Sequence, residues 1–188
     1  MKLRFSALAP VVGGLIGLAS LNAHAADGTI TIQGTVSETT CSINGAAAGT
    51  PADISVTLPT VQAGSLASAG AIAGTSNAGD IQMTLSGCSG TATKAVARFE
   101  NGPTVDQSSG YLNNMAGGAG AKNVEVRLLN ANLQPINILN GQNNDVNTNG
   151  TAISGGSAVL KYFAQYYATD KAVAGNVSTS VQYTMQYQ

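Results

Sequence analysis

Two cysteines, Cys41 and Cys88, and one histidine, His24, are the side chains with the widest chemical repertoire in this 188-residue chain. Thiols can bridge, ligate a metal or act as nucleophiles, and an imidazole can relay a proton or hold zinc. His24 falls within a stretch that has the form of a secretory leader. Lys2 and Arg4 make a basic start, residues 5–21 are an apolar run interrupted by Pro10 and glycines, and Ala23-His24-Ala25 is a small-x-small cleavage site. A membrane anchor would call for a longer uninterrupted run. With residues 1–25 read as a signal peptide, the exported chain begins near Ala26 and contains no histidine, which excludes a Ser/His relay and a histidine-ligated metal. Both cysteines follow the leader, so an oxidising compartment would pair them with each other. Two free buried thiols would need a reducing compartment, against which the leader argues. Closing a loop of that size contributes roughly 4 kcal/mol in the chain-entropy account.

The nine carboxylates are scattered: Asp27 and Glu38 near the start, Asp53 and Asp80 flanking strands, Glu100 and Asp106 by a turn, Glu125 within a strand, Asp145 and Asp170 in loops. Nothing in that spacing sets up paired acid and base work. No phosphate-cradling loop, dinucleotide fingerprint or calcium loop occurs, so no catalytic residue, metal site or cofactor is expected. Without Lys2 and Arg4 six of the eight basic residues remain, too few and too dispersed for a nucleic-acid footprint. Tyr162, Phe163, Tyr166 and Tyr167 read as core and sheet-surface aromatics, with a sugar-stacking platform as the alternative.

The elements that must carry these residues are strands. Gly, Ala, Ser, Thr, Asn and Val dominate, aromatics make up 5%, and no 3.6-period apolar stripe follows the leader. In the leading segment Gly28, Ile30, Ile32, Gly34 and Val36 alternate with Asp27, Thr29, Thr31, Gln33 and Thr35, a period-2 pattern with one apolar edge. Strands are expected at 34–43, 53–58, 81–88, 95–100, 123–129, 135–139, 158–168 and 177–187. A turn is expected at 44–50, and a long connection at 60–79 with one helical turn within 66–72. Residues 104–120 read as a surface excursion pinned by Tyr111, Leu112 and Met115, and residues 141–156 as a turn-rich loop. Short strands at this spacing, with a bridge between early ones, point to an all-β, immunoglobulin-like sandwich.

The sequence resembles the pilins of chaperone/usher fimbriae, in the type 1 major-subunit group, over essentially all of the exported chain. GTITIQGTVSETTCSI (28–43) is similar to the pilin opening, and IQMTLSGC (81–88) to the strand holding the second cysteine. NVEVRLLNANLQPINI (123–138) is similar to the pilin hairpin, and FAQYYAT (163–169) to the penultimate strand. Tyr187 is penultimate and Gly175 is fourteenth from the C-terminus, both as in that family.

The resemblance implies an incomplete immunoglobulin-like sandwich completed by a strand from a neighbouring subunit, with residues 34–188 as the pilin domain. It implies a donor extension over residues 26–33, carrying Gly28, Ile30 and Ile32, that enters the groove of the next copy. It also implies a C-terminal strand, with Gly175, Val181, Tyr183, Met185 and Tyr187, held by a periplasmic chaperone until an outer-membrane usher exchanges it. The fibre would stand on the surface of a Gram-negative bacterium and could meet a host receptor. The extension ahead of Gly28 is only Ala26-Asp27, shorter than in many type 1 pilins, so an outermost plug is missing.

Two other readings stay open: a minor or tip subunit, and a secreted β-sandwich with its own carbohydrate or protein site. A two-domain adhesin finds no space in one domain's worth of residues. The alternative to the donor assignment itself is that residues 28–36 are an ordinary first strand of a self-contained sandwich.

Overall fold

The computed structural model describes residues 30–34 and 40–188. Residues 1–25, expected as a signal peptide, and Gly28 lie outside the described residues. The chain divides into two units, Met1–Thr35 and Val36–Gln188. In the first, residues 30–34 make no ladder, and Ile30 and Ile32 are 88% and 89% exposed.

The second unit is built on period-2 burial. Its longest strand, β8 (Ala158–Val173), turns Ala158, Leu160, Tyr162 and Ala164 inward. Along one edge β8 pairs with β3 (Ile81–Ser86) and β2 (Ile72–Ala73), and along the other with β6 (Lys122–Leu129). Outside these lie β1 (Ser42–Ile43) on β3 and β5 (Leu112–Asn113) on β6, completing a six-stranded sheet. A smaller sheet has the order β7 (Thr151–Ala152), β4 (Lys94–Phe99), β9 (Tyr183–Tyr187). All pairings within the two sheets are antiparallel.

Met83, Leu85 and Leu160 of the large sheet share one apolar core with Ala95, Ala97 and Phe99 of the small one. The sheets are also stitched by polar groups. β7 leaves β4 after Ala95, and the next inward residue, Ala97, donates its N–H to the Tyr162 hydroxyl (2.9 Å) and accepts from Asn144 Nδ2 (2.8 Å). Burial pushes the Tyr162 phenol up to about 12, so it stays a neutral donor and acceptor in the core. Its ring meets Phe99 edge to face, centroids 5.1 Å apart. Cys41 and Cys88 are bonded to each other across 47 residues and tie the chain ahead of β1 to the end of β3.

Several expectations change. Residues 34–43 form a ladder only at Ser42–Ile43, with 35–39 outside the described residues. Residues 53–58 and 135–139 alternate as strands should, yet join no sheet; Ile136 and Ile138 are buried, held by isolated bridges at Pro135 and Asn137. The helical turn is a 3-10 turn at Ala63–Leu66, and the following Ile72–Ala73 is a strand too short to show a period. In the 104–120 excursion Leu112 and Val105 are the buried anchors, whereas Met115 is 56% exposed. The 141–156 loop contains a four-residue helix, α1 (Val146–Asn149), capped by the Asp145 carboxylate.

Candidate functional site

The C-terminal segment carries the most informative geometry. From Val177 to Tyr187 the odd residues are half-buried, and Val177, Val181, Tyr183, Met185 and Tyr187 pack on the core. Ladder pairing reaches only Tyr183–Tyr187; ahead of it the strand expected over 177–187 is extended chain held through its even residues, the Ser178, Ser180 and Gln182 carbonyl oxygens accepting from Met115 N–H, the Thr104 hydroxyl and Glu100 N–H.

The register fixes where the backbone points. Lys94 and Gln188 exchange both hydrogen bonds, and the Glu100 N–H donates to the Gln182 carbonyl oxygen (2.9 Å). Even residues therefore turn their amide groups toward β4. In an antiparallel ladder the odd residues then face the opposite edge. No strand among the described residues lies there, because β9 ends the small sheet. One row thus offers both apolar side chains and a line of free N–H and C=O groups.

Facing it is the segment 52–58, whose even residues Ile54, Val56 and Leu58 are half-buried against the same core. Among the described residues the main chain of 52–61 makes a single hydrogen bond: Ala52 accepts from the Tyr183 hydroxyl (2.7 Å). Two extended segments, neither with a ladder partner on the facing side, therefore border one apolar trough. The alternation of residues 53–58 predicts a strand, and the segment is extended with that alternation but joins no ladder.

The trough opens at one end into a cleft of about 350 Å³ lined by Val61, Leu66, Val124, Tyr166, Gly175 and Val177. Gly175 is there for a backbone reason. A Cβ on it would stand 2.4 Å from the Ala121 nitrogen and 2.7 Å from the Ala119 carbonyl oxygen. That approach lets the Asn176 N–H reach Ala119 O (2.9 Å) and the Ala121 N–H reach Asn176 O (2.8 Å), anchoring the start of the C-terminal row.

The trough carries little charge. Burial raises the Tyr183 phenol, with the Asp53 charge adding to it, and burial likewise raises Tyr187, so both stay neutral at physiological pH. Among the described residues no group of three His, Cys, Asp or Glu converges to hold a metal. On the outer face of β6 and β8 the Tyr167 ring lies under the Arg127 guanidinium (5.8 Å) and against Tyr111 (5.1 Å).

Glu125, beside them, is 7% exposed and accepts from Ser109 Oγ (3.0 Å). Burial raises its carboxyl and the nearby Asp106 charge adds to this, against the Ser109 bond. A carboxyl raised in the folded state contributes stability that is complete below its unfolded value and is lost as pH rises through the folded one. Glu125→Gln is therefore expected to melt a few degrees above the parent at pH 7, with the difference closing toward pH 4 in thermal scans. Asp106 has the opposite sign: the Ser108 hydroxyl and the Ser109 and Ser108 amides hold it at about 2.

An all-β sandwich whose sheet ends on a long, unpaired, apolar edge is a fold of the incomplete immunoglobulin-like class. The family described as "Type-1 fimbrial protein, A" matches residues 58–188. The major fimbrial subunit SMF-1 of Stenotrophomonas maltophilia is 41% identical over 92% of this chain and 99% of its own length. The F17 fimbrial protein of Escherichia coli is 37% identical over 93% and 96%. The chain belongs to the type-1 fimbrial protein family and is a structural fimbrial subunit. In fold it is similar to the P pilus rod subunit PapA (TM-score 0.51, 23% identity, 85% of this chain and 100% of that one). A type I fimbria protein of Burkholderia pseudomallei is similar too (TM-score 0.53, 22% identity, 81% and 97%).

Proposed function

We propose that this subunit polymerises head to tail by donating residues 26–33 to the trough of the next copy. Gly28, Ile30 and Ile32 are the inward-facing residues of that donor. The observation that carries the reading is the row Val177–Tyr187, whose free backbone edge and apolar side chains coincide on the odd residues and face a second unpaired segment at 52–58. A strand laid between them would bond to the edge and cover the core in one step, which is strand addition. Each buried isoleucine would contribute roughly 1.5–3 kcal/mol and each ladder bond about 1 kcal/mol net. Head-to-tail contacts of this kind do not close, so the product is a fibre.

An open apolar edge is also an aggregation hazard, which gives a physical reason for a periplasmic chaperone to occupy it first. That chaperone would pair with the row containing Val181, Tyr183, Met185 and Tyr187, whose entry is set by Gly175, and an outer-membrane usher would exchange it for the donor. The leader, residues 1–25, sends the chain through the periplasm to the surface of a Gram-negative cell, where the fibre serves attachment.

A synthetic peptide spanning residues 26–36, added to the processed chain, is expected to protect the amides of Thr179, Val181 and Tyr183 from hydrogen exchange and to raise the melting temperature. The same peptide with aspartate in place of both isoleucines should do neither. Absence of protection at those three amides with the native peptide would overturn the assignment.

A further inference from the structure

Tyr183 is half-buried, packs on the core and belongs to the C-terminal row, yet its hydroxyl leaves that row and bonds to Ala52, 131 residues earlier (2.7 Å). Ala52 opens the facing segment, and among the described residues this is the one hydrogen bond that the main chain of 52–61 makes. A tyrosine side chain plus a hydrogen bond spans about two interstrand spacings of ~4.8 Å, the width that two strands keep when a third lies between them.

We propose that Tyr183 is a positioning residue of the trough: its hydroxyl, bonded to the Ala52 carbonyl, holds the facing segment about two interstrand spacings from β9, so that the site is set to receive an extended chain before one arrives. This rests on the strand-acceptor reading above. The physical basis is preorganisation. A segment without ladder bonds must otherwise be ordered at the moment of binding, and that ordering subtracts from affinity. The bond also settles the hydroxyl's own needs inside the protein, which leaves the incoming strand to pair with main-chain groups alone.

The test uses the full processed chain with Tyr183→Phe, which keeps the ring and removes the bond. Spin labels on cysteines introduced at the exposed positions Ser55 and Thr184 report the separation of the two sides; the native cysteines are already bonded to each other. The parent is expected to give one narrow distance distribution, and Tyr183→Phe a distribution at least twice as broad that narrows when the 26–36 peptide is added. Peptide affinity is expected to fall about fivefold, the effect of losing one net hydrogen bond. An unchanged distribution would overturn the proposal, as would a broadened one with unchanged affinity. Failure of the peptide to bind the parent would count against strand acceptance itself, while the label distances without peptide would still decide the tether.

Discussion

A processed chain carrying Ile30→Asp and Ile32→Asp is expected to accumulate as a folded, disulfide-bonded subunit and to form no fibres. Both residues belong to the first unit and are 88% and 89% exposed, so their replacement is expected to leave the folding of Val36–Gln188 intact. In the proposed polymer they become buried, and the double change forfeits two apolar plugs of roughly 1.5–3 kcal/mol each. It also asks two carboxylates to enter an apolar trough unpaired, at a cost of several kcal/mol apiece. Together these exceed what the ladder bonds of one short strand can offset at about 1 kcal/mol each. The measurement is electron microscopy of surface fibres beside the periplasmic content of disulfide-bonded subunit. The control is Thr31→Asp, on the opposite side of the period-2 pattern, which should leave assembly intact. Fibres of ordinary length from the double variant would remove residues 26–33 from the donor role.

Gly175→Ala is expected to lower stability by about 3 kcal/mol, the upper end of the range for forcing an extra methyl into a packed site. The added carbon would meet the Ala121 nitrogen at 2.4 Å, the Gly120 carbonyl carbon at 2.5 Å and the Ala119 oxygen at 2.7 Å. All three are main-chain atoms, and no rotamer change can relieve the contact. The segment 119–121 has to retreat, and with it go the paired bonds between Asn176 and residues 119 and 121, together with the Asn114 amide that donates to both Ala121 O and Asn176 O (2.9 Å each). The C-terminal row then loses its fixed origin. Gly117→Ala and Gly118→Ala, in the glycine-rich loop just ahead of residues 119–121, meet no atom within 4 Å and should be tolerated. Urea denaturation of the three variants decides the matter: a midpoint for Gly175→Ala matching that of Gly117→Ala would show that the close approach is not required.

Strands whose two faces see different surroundings were readable from their residues. Ile81, Met83 and Leu85 alternate with Gln82, Thr84 and Ser86, and all three apolar residues are buried in β3 as expected. The first half of β8 shows the same alternation, whereas in β6 Glu125 and Leu129 are buried on the face opposite Val124, Val126 and Leu128. Elements that owe their form to a neighbour were not readable. β2 is two residues long and exists because Ile72 and Ala73 lie opposite Tyr167 and Tyr166; two residues carry no period. Met115 looks like an anchor by type, while the shorter Val105 does the anchoring, because the loop's path buries one and leaves the other in solvent.

The candidate site divides along the same line. Alternation in residues 53–58 and 177–187, the pairing of the only two cysteines, and the alternating apolar leading segment follow from residue type and spacing, since side-chain direction has period 2 in any extended chain. Whether an extended segment has a hydrogen-bonding partner is a property of what lies beside its edge, and the amide groups that decide it are the same for every residue type. Only the folded chain therefore shows that 53–58 and β9 border a shared trough, that Gly175 is pressed against residues 119–121, and that Tyr183 reaches Ala52. Each of those joins positions 50 or more residues apart, and no local pattern encodes which distant backbone will arrive alongside.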